Sequence, residues 1–413
     1  MNGDEKQDDD TVTLSFDRLK AVTALGRGAK GVVFLVKGED FGELLALKVI
    51  LRDCIEKKSN KNESDSEYKR VCFEQQVLRK FKHPLLPRLR GVLATEKIVG
   101  YAIDYCPGRD LNSLRKKQTE KMFSVDIIRF YAAELVLALQ YLHSLGIAYR
   151  DLKPENIMIQ ENGHVMLVDF DLSTNLPVKS ATSSPPHYSV TVKPDSVTRR
   201  RFSPFCCNSG ISPEDSAVDS MMTPNEPDTA KKTNSFVGTE EYVAPEVILG
   251  KGHDFAVDWW SLGVLLYEML YGTTPFKGSC RKETFNRILS REPELVGEAT
   301  PLRDLIRKLL EKDPKQRIHV EKIKSHDFFK GLDWDSVLQI SRPPYIPTRV
   351  EDENWGTDGN NKIDVELFVE GVFGGVGDDK VDVVNNGEGN DNEKVLVKGL
   401  NHNLCEIDNF LVF

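Results

Sequence analysis

Residues 25–33 read LGRGAKGVV, with glycines at 26, 28 and 31 and Val33 just beyond the last of them. The segment directly after these glycines constrains the fold. A dinucleotide-binding turn hands over to a helix, whereas GVVFLVK continues as a strand rich in β-branched residues. The glycines therefore belong to a β-hairpin, where the missing Cβ atoms let backbone amides approach phosphate oxygens closely. A second β-rich run, LLALKVI (44–50), comes after a turn around Gly38 to Gly42 and puts Lys48 on the neighbouring strand. A lone strand lysine is ordinarily a solvated charge, so an ion-pair partner is required. Glu74, in FEQQVLRK, is the candidate.

Beyond the strands the chain changes character. The polar stretch EKKSNKNESDSEYKR leads into a predicted helix over Val71–Phe81, closed by Pro84. FYAAELVLALQYLHSLG (130–146) repeats apolar residues at three and four spacing and stops on Gly146, the pattern of an amphipathic helix. WWSLGVLLYEML (259–270) is too short to span a bilayer, carries Glu268 and reads as a buried helix. Two tracts do not read as globular: Leu172 to Asn234, rich in Ser, Thr and Pro, and Arg349 to Asn401, rich in Asp, Asn and Gly. The chain then turns apolar again in NFLVF, a segment expected to dock.

Bulk properties exclude several classes. The chain has 413 residues, 40% hydrophobic content and a net charge of −9, which suits a sizeable core and argues against coating nucleic acid. Seven cysteines are scattered without a CxxC pair, fitting free thiols in a reducing compartment. The start, MNGDEKQDDD, is neither a secretory signal nor a basic transit peptide, and Asn2 stands where N-myristoylation needs glycine. The expected compartment is the cytoplasm, with the nucleus and the plasma-membrane periphery as alternatives. The membrane alternative rests on RRRFSPFCC (199–207), a basic triplet beside paired cysteines. The favoured reading of that stretch is a solvated loop or a nuclear-import-like patch.

YRDLKPENIMI (149–159) gathers Arg150, Asp151, Lys153 and Asn156 into a loop ahead of a strand, and LVDFDLS (167–173) comes next. Either alone could be a solvated or acidic turn. In this order they supply a complete set for phosphoryl transfer. Asp151 can accept a hydroxyl proton and Lys153 can neutralise the moving phosphoryl group. Asn156 and Asp169 offer the oxygen donors that Mg²⁺ prefers. Asp171 stands where a glycine is common. It is open to reading as an extra ligand, as damage, or as a turn residue, and the reading adopted is a tolerated left-handed turn.

With these motifs in order, the sequence resembles a eukaryotic protein kinase from about Phe16 to Phe329. SFVGTEEYVAPE (235–246) is similar to the end of an activation segment, and DWWSLG (258–263) to the start of a buried central helix, with Glu246 expected to pair with Arg317. YRD, DFD and the long insert together resemble plant group VIII of the AGC kinases, and FCCNSGISP and NFLVF resemble the oxidative-signal-inducible branch. The resemblance implies an α+β, two-lobe fold with a small β-rich N-terminal lobe and a larger helical C-terminal lobe. It implies residues 1–15 as a disordered start, 16–329 as the kinase domain with insert 172–234, and 330–413 as a C-terminal tail. ATP would lie against Gly26, Arg27, Gly28, Gly31, Val33, Lys48 and Glu74, with Mg²⁺ on Asn156 and Asp169. The family further implies Asp110, Glu155 and Glu268 as receptors for basic residues of a protein substrate, and Ser235 as the activating phosphosite. Phe410 and Phe413 form a hydrophobic motif that would dock beside the helix carrying Glu74 or recruit an upstream phosphoinositide-dependent kinase. A catalytically impaired scaffold is the alternative that Asp171 raises.

Overall fold

A computed structural model describes residues 12–28, 31–38, 42–56, 64–177, 239–341, 343–347, 363–373 and 411–412. The N-terminal part builds an antiparallel sheet from β1 (Leu19–Arg27), β2 (Gly31–Gly38), β3 (Leu44–Leu51), β4 (Leu89–Ala94) and β5 (Ile98–Asp104), in spatial order β1-β2-β3-β5-β4. Register puts Val33 opposite Lys48 and Lys48 opposite Tyr101. Side chains alternate faces along a strand, so Val33, Lys48 and Tyr101 share one face. The other face carries Phe34, Leu45, Leu47 and Val49, each at most 1% exposed. One face of LLALKVIL is buried and the other half-buried, with both faces buried only over its last residues, which accounts for its nearly continuous apolar run.

Helix α1 (Arg52–Glu56) and helix α2 (Ser64–Leu78) come after the third strand. The second helix begins seven residues before the predicted Val71, within the polar stretch. Apolar periodicity reports only the buried face, and the first turns of this helix carry none of it.

The C-terminal part is helical, with α3 (Leu111–Lys116), α4 (Val125–Ser144), α5 (Pro245–Ile248), α6 (Ala256–Tyr271), α7 (Arg281–Ser290), α8 (Pro301–Leu309) and α9 (Val320–Lys324). The predicted helices at 130–146 and 259–270 are the bodies of α4 and α6, and these two form the centre of the core. Ser124 caps the first by accepting from the Ile127 N–H, and Gly272, at φ 73°, ends the second in the left-handed region. Together the sheet and the helices make the expected α+β, two-lobe architecture.

Two short ribbons hold the polar loops. β6 (Ile147–Ala148) pairs with β9 (Thr174–Asn175), and β7 (Ile157–Ile159) pairs with β8 (Val165–Leu167). Residues 149–156 and 168–173 are thereby fixed side by side between paired strands.

The tail departs from expectation. Within the tract read as non-globular, Val365–Phe373 is a helix, α10, with Val365 and Val369 buried against the outer face of the sheet. Val365, Phe368, Val369 and Val372 fall at i, i+3, i+4 and i+7, which gives the segment one apolar face despite its acidic, glycine-rich surroundings. A final strand, β10 (Leu411–Val412), pairs in parallel with Gly26 and Arg27 on the edge of the first strand. The resemblance places this end beside the helix carrying Glu74 instead. An edge strand offers unpaired backbone groups that any extended segment can satisfy. Phe410, Phe413, Ser235, Cys206, Cys207 and the 199–201 triplet lie outside the described residues. Among the described residues, no helix is long and apolar enough to cross a membrane.

Candidate active site

The glycine turn is closed by the Gly28 N–H donating to the Gly31 carbonyl at 2.8 Å. A Cβ on Gly31 would run into the Val49 carbonyl oxygen, so only glycine fits there. Gly100 allows an equally close approach of the fifth strand, its hypothetical Cβ lying 2.6 Å from the Lys48 carbonyl oxygen. Gly100 has no role in the sequence reading, because a single glycine inside a strand pattern carries little signal.

Lys48 meets carboxylates from both sides. Its Nζ donates to Glu74 Oε1 at 3.1 Å and Oε2 at 3.2 Å, and to Asp169 Oδ1 at 3.0 Å. Burial opposes the charge on Lys48, but Asp169 and Glu74 more than offset it and hold the ammonium well above its usual range. Burial likewise opposes ionisation of Asp169, yet the Lys48 ammonium keeps its carboxyl below the usual range. Glu74 also accepts from the Phe170 N–H at 3.1 Å, linking its helix to the DFD turn. The Tyr101 ring lies 5.8 Å from the Lys48 Nζ, a contact the sequence does not reveal.

The second cluster forms around Asp151. Its Oδ2 accepts from Lys153 Nζ at 3.0 Å and from Asn156 Nδ2 at 2.9 Å, while Thr239 Oγ1 donates to Oδ1 at 3.3 Å. Burial raises the Asp151 carboxyl above its ordinary range, with Lys153 pulling the other way. With the Asn156 amide nitrogen committed to Asp151, its oxygen is left as the donor atom for a ligand. That oxygen and the Asp169 carboxylate are hard donors of the kind a divalent cation takes.

The backbone under this cluster is anchored from the core. Asp258, fully buried, accepts from the Tyr149 N–H at 2.9 Å and the Arg150 N–H at 2.8 Å. Arg150 takes a left-handed φ of 69° and donates through Nε to the Leu172 carbonyl at 2.7 Å. Burial lowers its guanidinium pKa to about 10. Phe170 is fully buried against Phe81 and Tyr149, with ring centroids 4.7 and 5.3 Å away.

The three acids assigned to substrate recognition have partners inside the chain. Asp110 caps the third helix, accepting from the Ser113 N–H at 2.8 Å and hydroxyl at 2.6 Å. Glu155 accepts from Asn112 Nδ2 at 2.7 Å. Glu268 pairs with Arg115 at 2.9 Å and accepts from the Tyr242 hydroxyl. Arg27 points its side chain at the tail helix, donating to the Val372 carbonyl at 3.3 Å.

A family profile for the protein kinase domain matches residues 19–195 and 222–329. The chain belongs to the protein kinase family. It is 60% identical to serine/threonine-protein kinase OXI1 of Arabidopsis thaliana, over 100% of both chains. It is 43% identical to serine/threonine-protein kinase UCN of the same plant, over 81% of this chain and 85% of that one. It is 41% identical to phototropin-2 of Oryza sativa subsp. japonica, over 80% of this chain and 34% of that one. This kinase is accordingly of the serine/threonine type and of the AGC group.

Two readings of the kinase change with the geometry. Asp171 is not the left-handed residue of its turn: Asp169 is, at φ 57°. No glycine is needed at 171, because the reversal happens two residues earlier. The impaired-scaffold reading finds no support, since Lys48, Glu74, Asp151, Lys153, Asn156 and Asp169 all converge in this arrangement. Thr239 enters the sequence reading only as part of a motif. Its contact with Asp151 spans 88 residues of chain, a distance at which sequence pattern says nothing.

Proposed function

We propose that this kinase transfers the γ-phosphate of Mg²⁺-ATP to serine or threonine hydroxyls of protein substrates bearing basic residues upstream. The observation that carries the reading is the Lys48 ammonium held between Glu74 and Asp169, 3.1 and 3.0 Å away. A cation fixed in that way is suited to pairing with phosphates. Gly26, Gly28, Gly31 and Val33 would cradle ATP, Asp151 would orient and deprotonate the hydroxyl, and Lys153 would balance charge on the moving group. Asn156 and Asp169 would hold Mg²⁺, whose chemistry is to neutralise charge developing on the phosphate oxygens.

Asp110, Glu155 and Glu268 give this region a negative character suited to arginine or lysine in a substrate, and each would have to share its present partners. Ser235 is the proposed activating phosphosite, with Arg150 as its counter-ion. The proposed activator is an upstream phosphoinositide-dependent kinase, recruited through Phe410 and Phe413. A role in oxidative-stress or defence signalling accords with the likeness to OXI1, and a cytoplasmic, nuclear or membrane-peripheral setting goes with it. The test is incubation of the purified protein with Mg²⁺-ATP and a degenerate peptide array. Labelling of serine and threonine peptides with basic upstream residues supports the reading, and labelling that ignores them removes the substrate assignment.

A further inference from the structure

Arg150 has a side-chain partner far along the chain. Its Nη1 lies 3.2 Å from His253 Nε2, across 103 residues. A guanidinium can only donate, so the His253 Nε2 carries no proton and accepts, which makes the ring neutral with its proton on Nδ1. His253 lies in the loop between α5 and α6, turned inward and 2% exposed, while Lys251 and Asp254 in the same loop face solvent. Burial is the main reason the ring resists protonation, and the Arg150 charge adds to it. Asp258, Glu246 and Asp254 pull the other way without offsetting them. His143, on α4, meets the Asp258 carboxylate at 2.7 Å.

The Arg150 guanidinium spans two elements. Nη1 reaches His253, and Nε donates to the Leu172 carbonyl, just past the DFD residues, at 2.7 Å. His253 is thus one end of a bridge from the α5–α6 loop to the DFD turn. Thr239, which donates to Asp151, lines the same small cavity as Arg150 and His253. We infer that His253 is a positioning residue for the catalytic loop, its neutral ring holding the Arg150 guanidinium in the orientation that aligns the DFD turn and Asp151. An imidazolium has no acceptor and would repel the guanidinium beside it. Activity is therefore present above the His253 pKa and lost as pH falls through it. Because that pKa is lowered from the ordinary histidine value, the kinase is fully active at neutral pH and is shut off by acid. The role of His253 rests on the reading of Asp151 as the base.

The full-length protein tests it through pH profiles of kcat and of KM for ATP from about pH 8 to 5, with the fold followed by circular dichroism. The parent is compared with His253→Gln and His253→Phe. Glutamine puts a carbonyl oxygen near the place of Nε2 and accepts at every pH, whereas phenylalanine keeps a ring and removes the acceptor. The parent's kcat should fall over about pH 6.5 to 5 with KM for ATP steady. His253→Gln should stay within about twofold of the parent near neutral pH and lose that acid limb. His253→Phe should lower kcat about tenfold at neutral pH. His143→Gln, whose amide can still donate to Asp258, should keep the parent's limb. A limb that survives in His253→Gln or vanishes in His143→Gln overturns the role of His253, as does a His253→Phe protein with the parent's kcat. Should His253→Phe fail to fold, the glutamine variant decides alone. The two readings fail separately. Full-rate transfer by Asp151→Asn removes the base and leaves the limb to be read, whereas a limb indifferent to His253 removes the positioning role and leaves the base.

Discussion

Lys48 and Asp169, 121 residues apart, are joined at 3.0 Å, and the same ammonium keeps Glu74 at 3.1 Å. The strand, the helix and the DFD turn are therefore ordered through one side chain. Lys48→Met would leave two carboxylates facing each other, with Glu74 only 3% exposed. Loss of one partner from a buried pair costs on the order of 3–5 kcal/mol. The expected outcome is a fall in kcat/KM of about 10²-fold or more, together with a lower melting temperature. Glu74→Gln should be milder, because the amide oxygen still accepts from Lys48 and from the Phe170 N–H. Parallel kinetics and thermal melts of the two variants check the order.

Glu246 and Arg317 form a second pair, at 2.7 and 3.0 Å, with side chains 4% and 0% exposed. Arg317 also donates to the Ala256 carbonyl at 2.9 Å and packs over the Trp260 ring at 5.2 Å. Glu246→Ala leaves that guanidinium buried without its carboxylate, at a cost of about 3–5 kcal/mol. Chemical denaturation should show that loss. Arg317→Lys should recover only part of it, since an ammonium cannot make the two-pronged contact.

Asp171→Gly should keep phosphoryl transfer within about threefold of the parent. The left-handed residue is Asp169, so the backbone at 171 makes no demand that glycine fails to meet. Glycine adds backbone freedom worth roughly 0.5–1 kcal/mol, so the variant should be slightly less stable. A collapse of activity in peptide assays would show that the Asp171 carboxylate works as a ligand.

Much of this site is legible in the sequence because its parts come in order. The glycine hairpin, Lys48, Asp151, Asn156 and Asp169 each mean little alone, and their succession leaves few folds able to use them all. Residues whose role depends on distant contacts are another matter. Thr239 reaches Asp151 only after folding, Tyr101 meets Lys48 through strand register, and Gly100 matters because of a neighbouring strand. The tail helix escapes a sequence reading for a different reason. Val365, Phe368, Val369 and Val372 have helical spacing, but they sit in a tract whose overall composition is polar and glycine-rich. Composition averaged over a long tract hides a short apolar face. Asp171 misleads because a residue's identity does not state its φ.

The central claim is that Asp151 is the base of a phosphoryl-transfer site, and Asp151→Asn measures it most directly. Asparagine keeps the shape and can still accept from Lys153, but it cannot take a proton. General-base contributions are typically about 10²–10⁴-fold. Single-turnover transfer from Mg²⁺-ATP to a serine peptide should slow by that factor, while ATP binding, measured by equilibrium titration, stays within about twofold. Transfer at the parent's rate in the Asp151→Asn protein would contradict the account.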